Sequence, residues 1–318
     1  MNKIFPHIKT IALITIFSLG LISCSEEENG SPNHYSITEI TERNNSFSIL
    51  LDALERTGLD ETFNNPGNYT IFAPTNAAFD NFFASIGISG LNDIPTPTLT
   101  EILMNHIFQE SIFTSDLPSG YTHTSATNPL TGNAMSLYIN KTSGVRLNGV
   151  ANIMQSNIVA TNGLMHVVDC VLGLPTVMTF TKADPRFSTM ASTFAREEVF
   201  NFNEVLNDSE IEATFFIPTN EAFESLLAEQ NIESLDDIET ETIENIIKYH
   251  IVSGTALPFE SLTNGQSIST FLGTNFTLNV SGGNVSATDV NSRTATVSND
   301  NIEAVNGYIH VLNKVLLP

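Results

Sequence analysis

Two histidines lie on apolar helical faces, where an imidazole can act as a ligand, an acid–base group or a recognition element. His106 and His250 follow isoleucine- and leucine-rich faces at the i+7 position. One interpretation places them on a recognition surface. The alternative is a buried histidine whose ring nitrogens bond to nearby backbone groups, because an unpaired buried polar group costs about 1–3 kcal/mol. The sequence favours the structural alternative.

A second pair, His166 and His310, follows the Asn-Gly dipeptides Asn162-Gly163 and Asn306-Gly307. A metal site or an activated nucleophile needs Cys, Asp, Glu or a strained Ser arranged nearby. The chain has no HExxH, GxSxG, GxGxxG or P-loop motif. We therefore predict no catalytic residues, no metal site and no cofactor, so that the protein is not an enzyme.

The elements that position these residues occur twice, because a constant offset of 144 residues aligns four separate stretches of the chain. Residues 70–79, TIFAPTNAAF, match residues 214–223, TFFIPTNEAF. His106 matches His250, and residues 158–168 match residues 302–312. Equal offsets indicate two copies of one domain with few insertions. We place them at residues 35–175 and 176–318.

Each copy is predicted to begin with helices and to end with strands, which is an α+β class. In the first copy, Ser46 is a candidate N-cap and Gly58 a stop signal. Thr75 and Thr219 are candidate caps of helices that follow short strands. Later in each copy, short alternating segments around Gly144 and Gly282-Gly283 predict hairpins.

The N-terminus has the features of an export signal. Lys3 and Lys9 precede an uncharged apolar run, residues 11–22, which is too short to span a bilayer as a helix. Ser23 and Cys24 follow, and the junction resembles the lipobox of bacterial lipoproteins, in which the Cys becomes the lipid-modified first residue. The alternative is an ordinary cleaved signal with an incidental Cys. We therefore predict a signal peptide over residues 1–23.

Residues 24–34 are predicted to form an acidic flexible tether. The stretch Ser25-Glu26-Glu27-Glu28 resembles the signal that directs many lipoproteins of the Bacteroidetes to the outer face of the outer membrane. A solvated spacer is the alternative reading of a short charge run. We expect an exported protein, anchored by lipid to the outer membrane and exposed at the cell surface.

The charge balance excludes one class of partner. Lysine and arginine number 12 against 35 aspartates and glutamates, for a net charge of −23. Binding to nucleic acid depends on neutralising phosphates with basic side chains. Nucleic acid is therefore not an expected partner.

The repeated motifs resemble the fasciclin (FAS1) domain. These motifs are FAPTN-AF, a His at the end of the middle helix, and NG-x-x-HV before a terminal VL-LP. Two copies cover nearly all of the chain after the signal. The resemblance implies a wedge of β-strands with α-helices packed at one side. It also implies a non-enzymatic role in adhesion or matrix attachment.

The family also suggests candidate interaction residues. In animal matrix members, a Tyr-His pair at the end of the middle helix and an Asp-Ile pair before the Asn-Gly turn are taken as integrin-binding. Tyr249-His250 matches the first pair, and the first copy has Asn105-His106 instead. Asn157-Ile158 and Asn301-Ile302 replace the Asp-Ile pair, so that the acidic group is missing.

Two functions follow as hypotheses. The first is a surface lipoprotein that mediates adhesion or protein–protein contact, with a surface or matrix protein or a glycan as its partner. The second is an envelope accessory protein that binds polysaccharide or a partner uptake protein.

Overall fold

The computed structural model describes residues 34–195, 202, 206, 208 and 211–318. The predicted signal peptide, Cys24 and residues 25–33 of the predicted tether lie outside the described residues. Within the described ranges, no helix combines the length and the apolar character needed to cross a bilayer.

The first copy has helices on one side of a seven-stranded sheet, which confirms the predicted α+β class. Its helices are α1 (Ile37–Glu42), α2 (Ser48–Thr57), α3 (Leu59–Asn64), α4 (Asn76–Ser85) and α5 (Thr96–Met104). Its strands are β1 (Tyr69–Pro74), β2 (Ile107–Phe108), β3 (Gly120–Thr127), β4 (Ala134–Asn140), β5 (Arg146–Leu147), β6 (Ala151–Ala160) and β7 (Gly163–Val168).

The second copy repeats this order of elements. Its helices in the described residues are α6 (Val177–Ala183), α7 (Ser188–Phe194), α8 (Asn220–Gln230) and α9 (Thr240–Tyr249). Its strands are β8 (Ala213–Pro218), β9 (Ile251–Ser253), β10 (Ser267–Ser269), β11 (Asn275–Ser281), β12 (Asn284–Thr288), β13 (Thr294–Val297), β14 (Ile302–Ala304) and β15 (Gly307–Leu312). Short 3-10 helices lie at Asn45–Phe47, Leu91–Asp93, Pro185–Phe187, Leu235–Asp237 and Phe259–Ser261.

The predicted caps of the helices after β1 and β8 are confirmed. The Thr75 hydroxyl accepts a hydrogen bond from the Ala78 amide at 3.3 Å, and Thr219 accepts one from Ala222 at 3.4 Å. Gly58 ends α2 in the left-handed conformation, at φ 71°. The N-cap predicted at Ser46 is wrong by two residues: Asn44 accepts the Ser46 amide and starts a 3-10 turn that leads into α2.

In each copy, the strand that comes first along the chain pairs in parallel with the strand that comes last, which the sequence did not predict. β1 pairs with β7 from Tyr69 opposite Gly163 to Pro74 opposite Val168. In the second copy, β8 pairs with β15 in the same register. The earliest strand of each copy therefore lies inside its sheet, between β2 and β7 or between β9 and β15.

These central strands are buried on both faces. In β1, Ile71 and Ala73 pack into the cluster beneath the helices, while Phe72 packs into a second cluster on the opposite face. Alternate residues of a strand point to opposite faces. A strand covered on both sides has apolar residues at successive positions, which accounts for the run Ile71-Phe72-Ala73.

Buried polar groups contribute to the packing of the two copies against each other. Glu303 is 2% exposed, and its carboxylate accepts a hydrogen bond from the Thr131 hydroxyl of the first copy. Its backbone amide donates to the Ser136 hydroxyl at 2.9 Å. Asn133 donates to the Tyr308 hydroxyl at 2.6 Å. The turn between β3 and β4 thus binds the last hairpin of the second copy.

Glycine is required where the last strand starts. Gly163 has φ 155°, and a Cβ at this position would overlap the Tyr69 backbone carbonyl. We predict that Gly163→Ala lowers the free energy of unfolding by about 3 kcal/mol, because β1 and β7 must separate to admit the methyl group. Chemical denaturation measures the loss. Gly90→Ala is the matched control, since its added Cβ has no atom within 4 Å. Equal stability of the two variants would contradict the prediction.

Candidate functional site

The histidines at the ends of the middle helices hold the last segment of each copy. His106 is 1% exposed, with Nδ1 2.7 Å from the Ile102 carbonyl and Nε2 accepting the Leu172 amide at 2.8 Å. His250 makes the same pair of contacts with Ile246 at 2.7 Å and Leu316 at 3.0 Å. Because a backbone amide only donates, the proton lies on Nδ1 and each ring is neutral.

Burial determines the charge of these rings. Loss of hydration lowers the pKa of His106 and of His250 to about 4, from 6.5. Both ring nitrogens are already bonded, so that neither has a site left for a partner. The structure therefore corrects the recognition hypothesis for these two residues and supports the structural alternative.

Tyr249, the other half of the candidate pair, is also in the core. Its side chain is 0% exposed, and its hydroxyl donates to the Asn275 carbonyl at 2.9 Å. Its ring packs edge-on against Phe276, with the ring centroids 5.9 Å apart. The first-copy counterpart, Asn105, is buried as well and donates to the Gly173 carbonyl at 3.0 Å. The Tyr-His pair therefore offers no accessible side chain to a partner.

The two asparagines that replace the acidic position of the family have a conformational role. Asn157 and Asn301 have φ of 60° and 42°, a left-handed conformation that asparagine tolerates. The Asn157 side-chain oxygen accepts the Thr114 amide at 3.0 Å, and that of Asn301 accepts the Phe259 amide at 3.2 Å. Each asparagine fixes the loop that follows the middle helix.

The neighbouring isoleucines differ between the copies. Ile302 is fully buried in the core of the second copy, whereas Ile158 is half-buried at the surface of the first. Beside Ile158, Val159 is 42% exposed, and its counterpart Glu303 is the buried carboxylate between the copies. Of the two isoleucines, Ile158 is therefore the accessible one.

His166 lies in β7 and His310 in β15, the last strand of each copy. His166 Nε2 is 2.9 Å from the Ile112 carbonyl, and Nδ1 accepts the Asn157 amide at 3.0 Å. His310 Nε2 is 2.8 Å from the Leu257 carbonyl, while its buried Nδ1 has no partner among the described residues. Burial lowers the pKa of His166, and it lowers that of His310 to about 4. Each ring therefore binds the loop that follows the middle helix of its copy.

Metal ligation has no support in the described part of the chain, where no three His, Cys, Asp or Glu side chains are grouped to hold an ion. Cys170 is a free, half-buried thiol, and burial raises its pKa. A raised pKa reduces the thiolate fraction and hence the reactivity of the sulfur.

Sequence reasoning missed the residues that join the two copies, above all Thr131, Asn133 and Glu303. The one signal was the replacement of Val159 by Glu303 in otherwise matching segments. A charged residue among apolar ones in a strand is unusual unless it is paired. Comparing the two copies residue by residue would have marked this position.

These features define a class: two equivalent α+β domains joined without a linker, each closed by a buried histidine and a parallel pair of terminal strands. Residues 45–175 and 185–318 match the family model of the fasciclin domain. The chain belongs to the fasciclin family, as its motifs predicted.

Three comparisons describe its relatives. Human periostin is 30% identical over 265 residues, which cover 82% of this chain and 29% of periostin. Protein sll1483 of Synechocystis sp. is 31% identical over 182 residues, which cover 54% of this chain and 97% of that protein. A solved FAS1 domain pair from the insect cell adhesion molecule Fasciclin I matches with TM-score 0.52 and 20% identity, covering 85% of this chain and 97% of that one. This last match shows the shared fold.

The buried histidines predict a specific dependence of stability on pH. Their pKa is lower in the folded than in the unfolded chain, so that the unfolded chain takes up more protons as the pH falls below about 6.5. Stability is therefore present at neutral pH and decreases toward pH 4. Between about pH 7.5 and 5.5, each ring contributes about 1.3 kcal/mol to that loss.

We expect His106→Gln to cost about 2 kcal/mol at neutral pH, because a glutamine that accepts the Leu172 amide cannot also donate to the Ile102 carbonyl, as the imidazole does. The pH-dependent loss of stability should be smaller in this variant than in the wild type by the contribution of one ring. His250→Gln should behave alike, since its contacts are the same. Urea unfolding at both pH values measures the difference. Variants that keep the full wild-type pH dependence would refute this role.

Proposed function

We propose that this protein is a non-enzymatic adhesion or interaction protein of the cell surface, held to the outer membrane by a lipid on Cys24. The observation that carries the proposal is the tandem fasciclin pair, joined into one unit through buried hydrogen bonds. The relative named a cell adhesion molecule is built on the same pair of domains. A fixed pair of domains suits presentation of a surface to a partner.

The histidines argue for a non-enzymatic role. General acid–base catalysis needs a group that can exchange a proton with substrate near the working pH. His106, His166 and His250 have both ring nitrogens bonded to the backbone, and burial lowers the pKa of each. Their geometry serves the fold.

The contact surface that we propose is the exposed part of β6 in the first copy, residues 154–159. Met154 is 68% exposed, and Val159 is also exposed beside Ile158. β6 loses regular register with β7 between Ile153 and Ile158, and such bulges redirect side chains at functional edges. The apolar side chains fit a partner protein that has an apolar patch of its own.

The lipid anchor is proposed from the sequence. Cys24 ends a short apolar segment, and residues 25–34 provide up to about 33 Å of extended chain between the membrane and the first copy. Stable anchoring takes more than one acyl chain, as a single chain binds only marginally. The acidic protein would be repelled by anionic lipid, within a Debye length of about 8 Å.

The two cysteines provide a matched test of the anchor. Cys24→Ser should shift the protein from the membrane fraction and remove the mass that lipid adds to the mature chain. Cys170→Ser is the control. It should leave the membrane association and the lipid mass unchanged, because Cys170 lies in the folded first copy. Fractionation followed by intact-mass spectrometry measures the outcome. Membrane association that survives Cys24→Ser would contradict the anchor.

Adhesion is tested with beads that carry the purified protein, mixed with cells of the producing bacterium and with envelope-coated surfaces. We expect retention of the wild type and about a tenfold loss in Met154→Asp/Val159→Asp, because the charges desolvate poorly against an apolar partner. Val290→Asp, at an exposed valine of the second copy, should retain binding. Absent wild-type retention would overturn the adhesive role, whereas equal retention by both variants would overturn the proposed surface.

A further inference from the structure

A cleft of about 600 Å³ lies between the two copies. In the first copy, the start of β3 and the middle of β4 line it. In the second copy, the 3-10 turn Pro185–Phe187 and the loop before β14 line it. Ligand pockets have volumes of about 300–1,000 Å³ and occur preferentially at domain junctions. Neither the candidate interaction residues nor the surface on β6 lines this cleft.

One wall of the cleft is aromatic. Tyr121 and Tyr138, two of the six tyrosines in the chain, have ring centroids 4.9 Å apart. Tyr121 also packs edge-on against Phe180 of the second copy, with centroids 5.5 Å apart. Both tyrosines are half-buried. The rings are thus held by packing across the junction, while part of their surface remains open.

The facing wall carries an arginine in a fixed position. Arg186 Nη2 is 2.8 Å and Nε is 3.0 Å from Asp184 Oδ2, and Nη1 is 3.0 Å from Asp300 Oδ2. Asp184 is buried, and Arg186 remains partly exposed. A guanidinium has five N–H donors, so one N–H on each terminal nitrogen remains beyond the bonds seen among the described residues. Asn299, exposed at the rim, adds an amide donor and acceptor.

The charges of these groups restrict the class of ligand. Two carboxylates face one guanidinium, so that an anionic ligand meets a net negative wall. The place that a cation would take, beside both carboxylates and near the Tyr121 ring, is already occupied by Arg186. What remains is a neutral ligand with many hydroxyl groups, which can both donate and accept hydrogen bonds and can lay an apolar face on a tyrosine ring.

We propose that the cleft between the two copies binds a neutral oligosaccharide, which stacks on Tyr138 and bonds through its hydroxyls to Arg186, Asn299 and Asp300. Tyr121 packs against Tyr138, and Asp184 holds Arg186 in position. The site is separate from the surface on β6 and does not depend on the lipid anchor.

The test is saturation-transfer NMR on the purified protein with three sets of probes. The neutral set consists of glucan, galactan and mannan tri- and tetrasaccharides, the anionic probe is trigalacturonate, and the cationic probe is tri-glucosamine. We expect at least one neutral probe to bind and both charged probes to give no signal. Raising the salt concentration should leave the affinity unchanged, since no counterions are displaced.

Variants locate the binding. Tyr138→Ala should weaken the affinity by about tenfold, which corresponds to the loss of one stacked ring. Asn299→Ala at the exposed rim should weaken it by about threefold without affecting the fold, which thermal melting verifies for both variants. Asn92→Ala is the matched control and should bind like the wild type, because Asn92 is an exposed asparagine that does not line the cleft.

Each other outcome overturns the proposal. If no neutral probe binds, or if only a charged probe does, the cleft does not have the assigned specificity. If a neutral probe binds equally well to Tyr138→Ala and Asn299→Ala, the saccharide site lies elsewhere. These results leave the adhesive role unaffected, because that role is tested at Met154 and Val159.

Discussion

Each copy depends on the parallel pairing of its first strand with its last. Tyr69 and Gly163 come together although about two thirds of the domain lies between them, and Ala213 and Gly307 repeat the arrangement. Buried asparagines in the turns just before the last strands stabilise this pairing. Asn162 accepts the Ile37 amide at 3.0 Å and donates to the Asn65 carbonyl at 3.0 Å, so that one side chain binds the start of the domain to its end.

The histidines complete the same closure from the other end of the strands. After β7, the Leu172 amide would be buried without an acceptor if His106 were absent, because the last segment leaves the sheet there. A neutral imidazole suits this place, since it accepts through one nitrogen and donates through the other. The histidines that drew most interest in the sequence therefore satisfy buried backbone groups.

Much of the fold could be predicted from the sequence, because its signals are local or repeated. Thr75 and Thr219 act within one helical turn, and the duplication compares each element with its counterpart. The place of β1 inside its sheet could not be predicted, since it depends on strands that are distant along the chain. The same limit applies to Tyr121 and Arg186, which carry no motif and meet only because the copies dock. For His250, the apolar helical face was a better guide than the motif of the family.

The difference between Val159 and Glu303 fixes the order of the repeats. The first copy covers Glu303 of the second copy. The Thr131 hydroxyl donates to the Glu303 carboxylate, and the Ser136 hydroxyl accepts from the Glu303 backbone amide. The first copy carries an exposed valine at that position. Exchanging the two halves of the gene would leave the glutamate at the open end, place Val159 at the junction and move Thr131 and Ser136 away from both. The two halves are therefore not interchangeable, and a further copy added at the amino end would need a new junction.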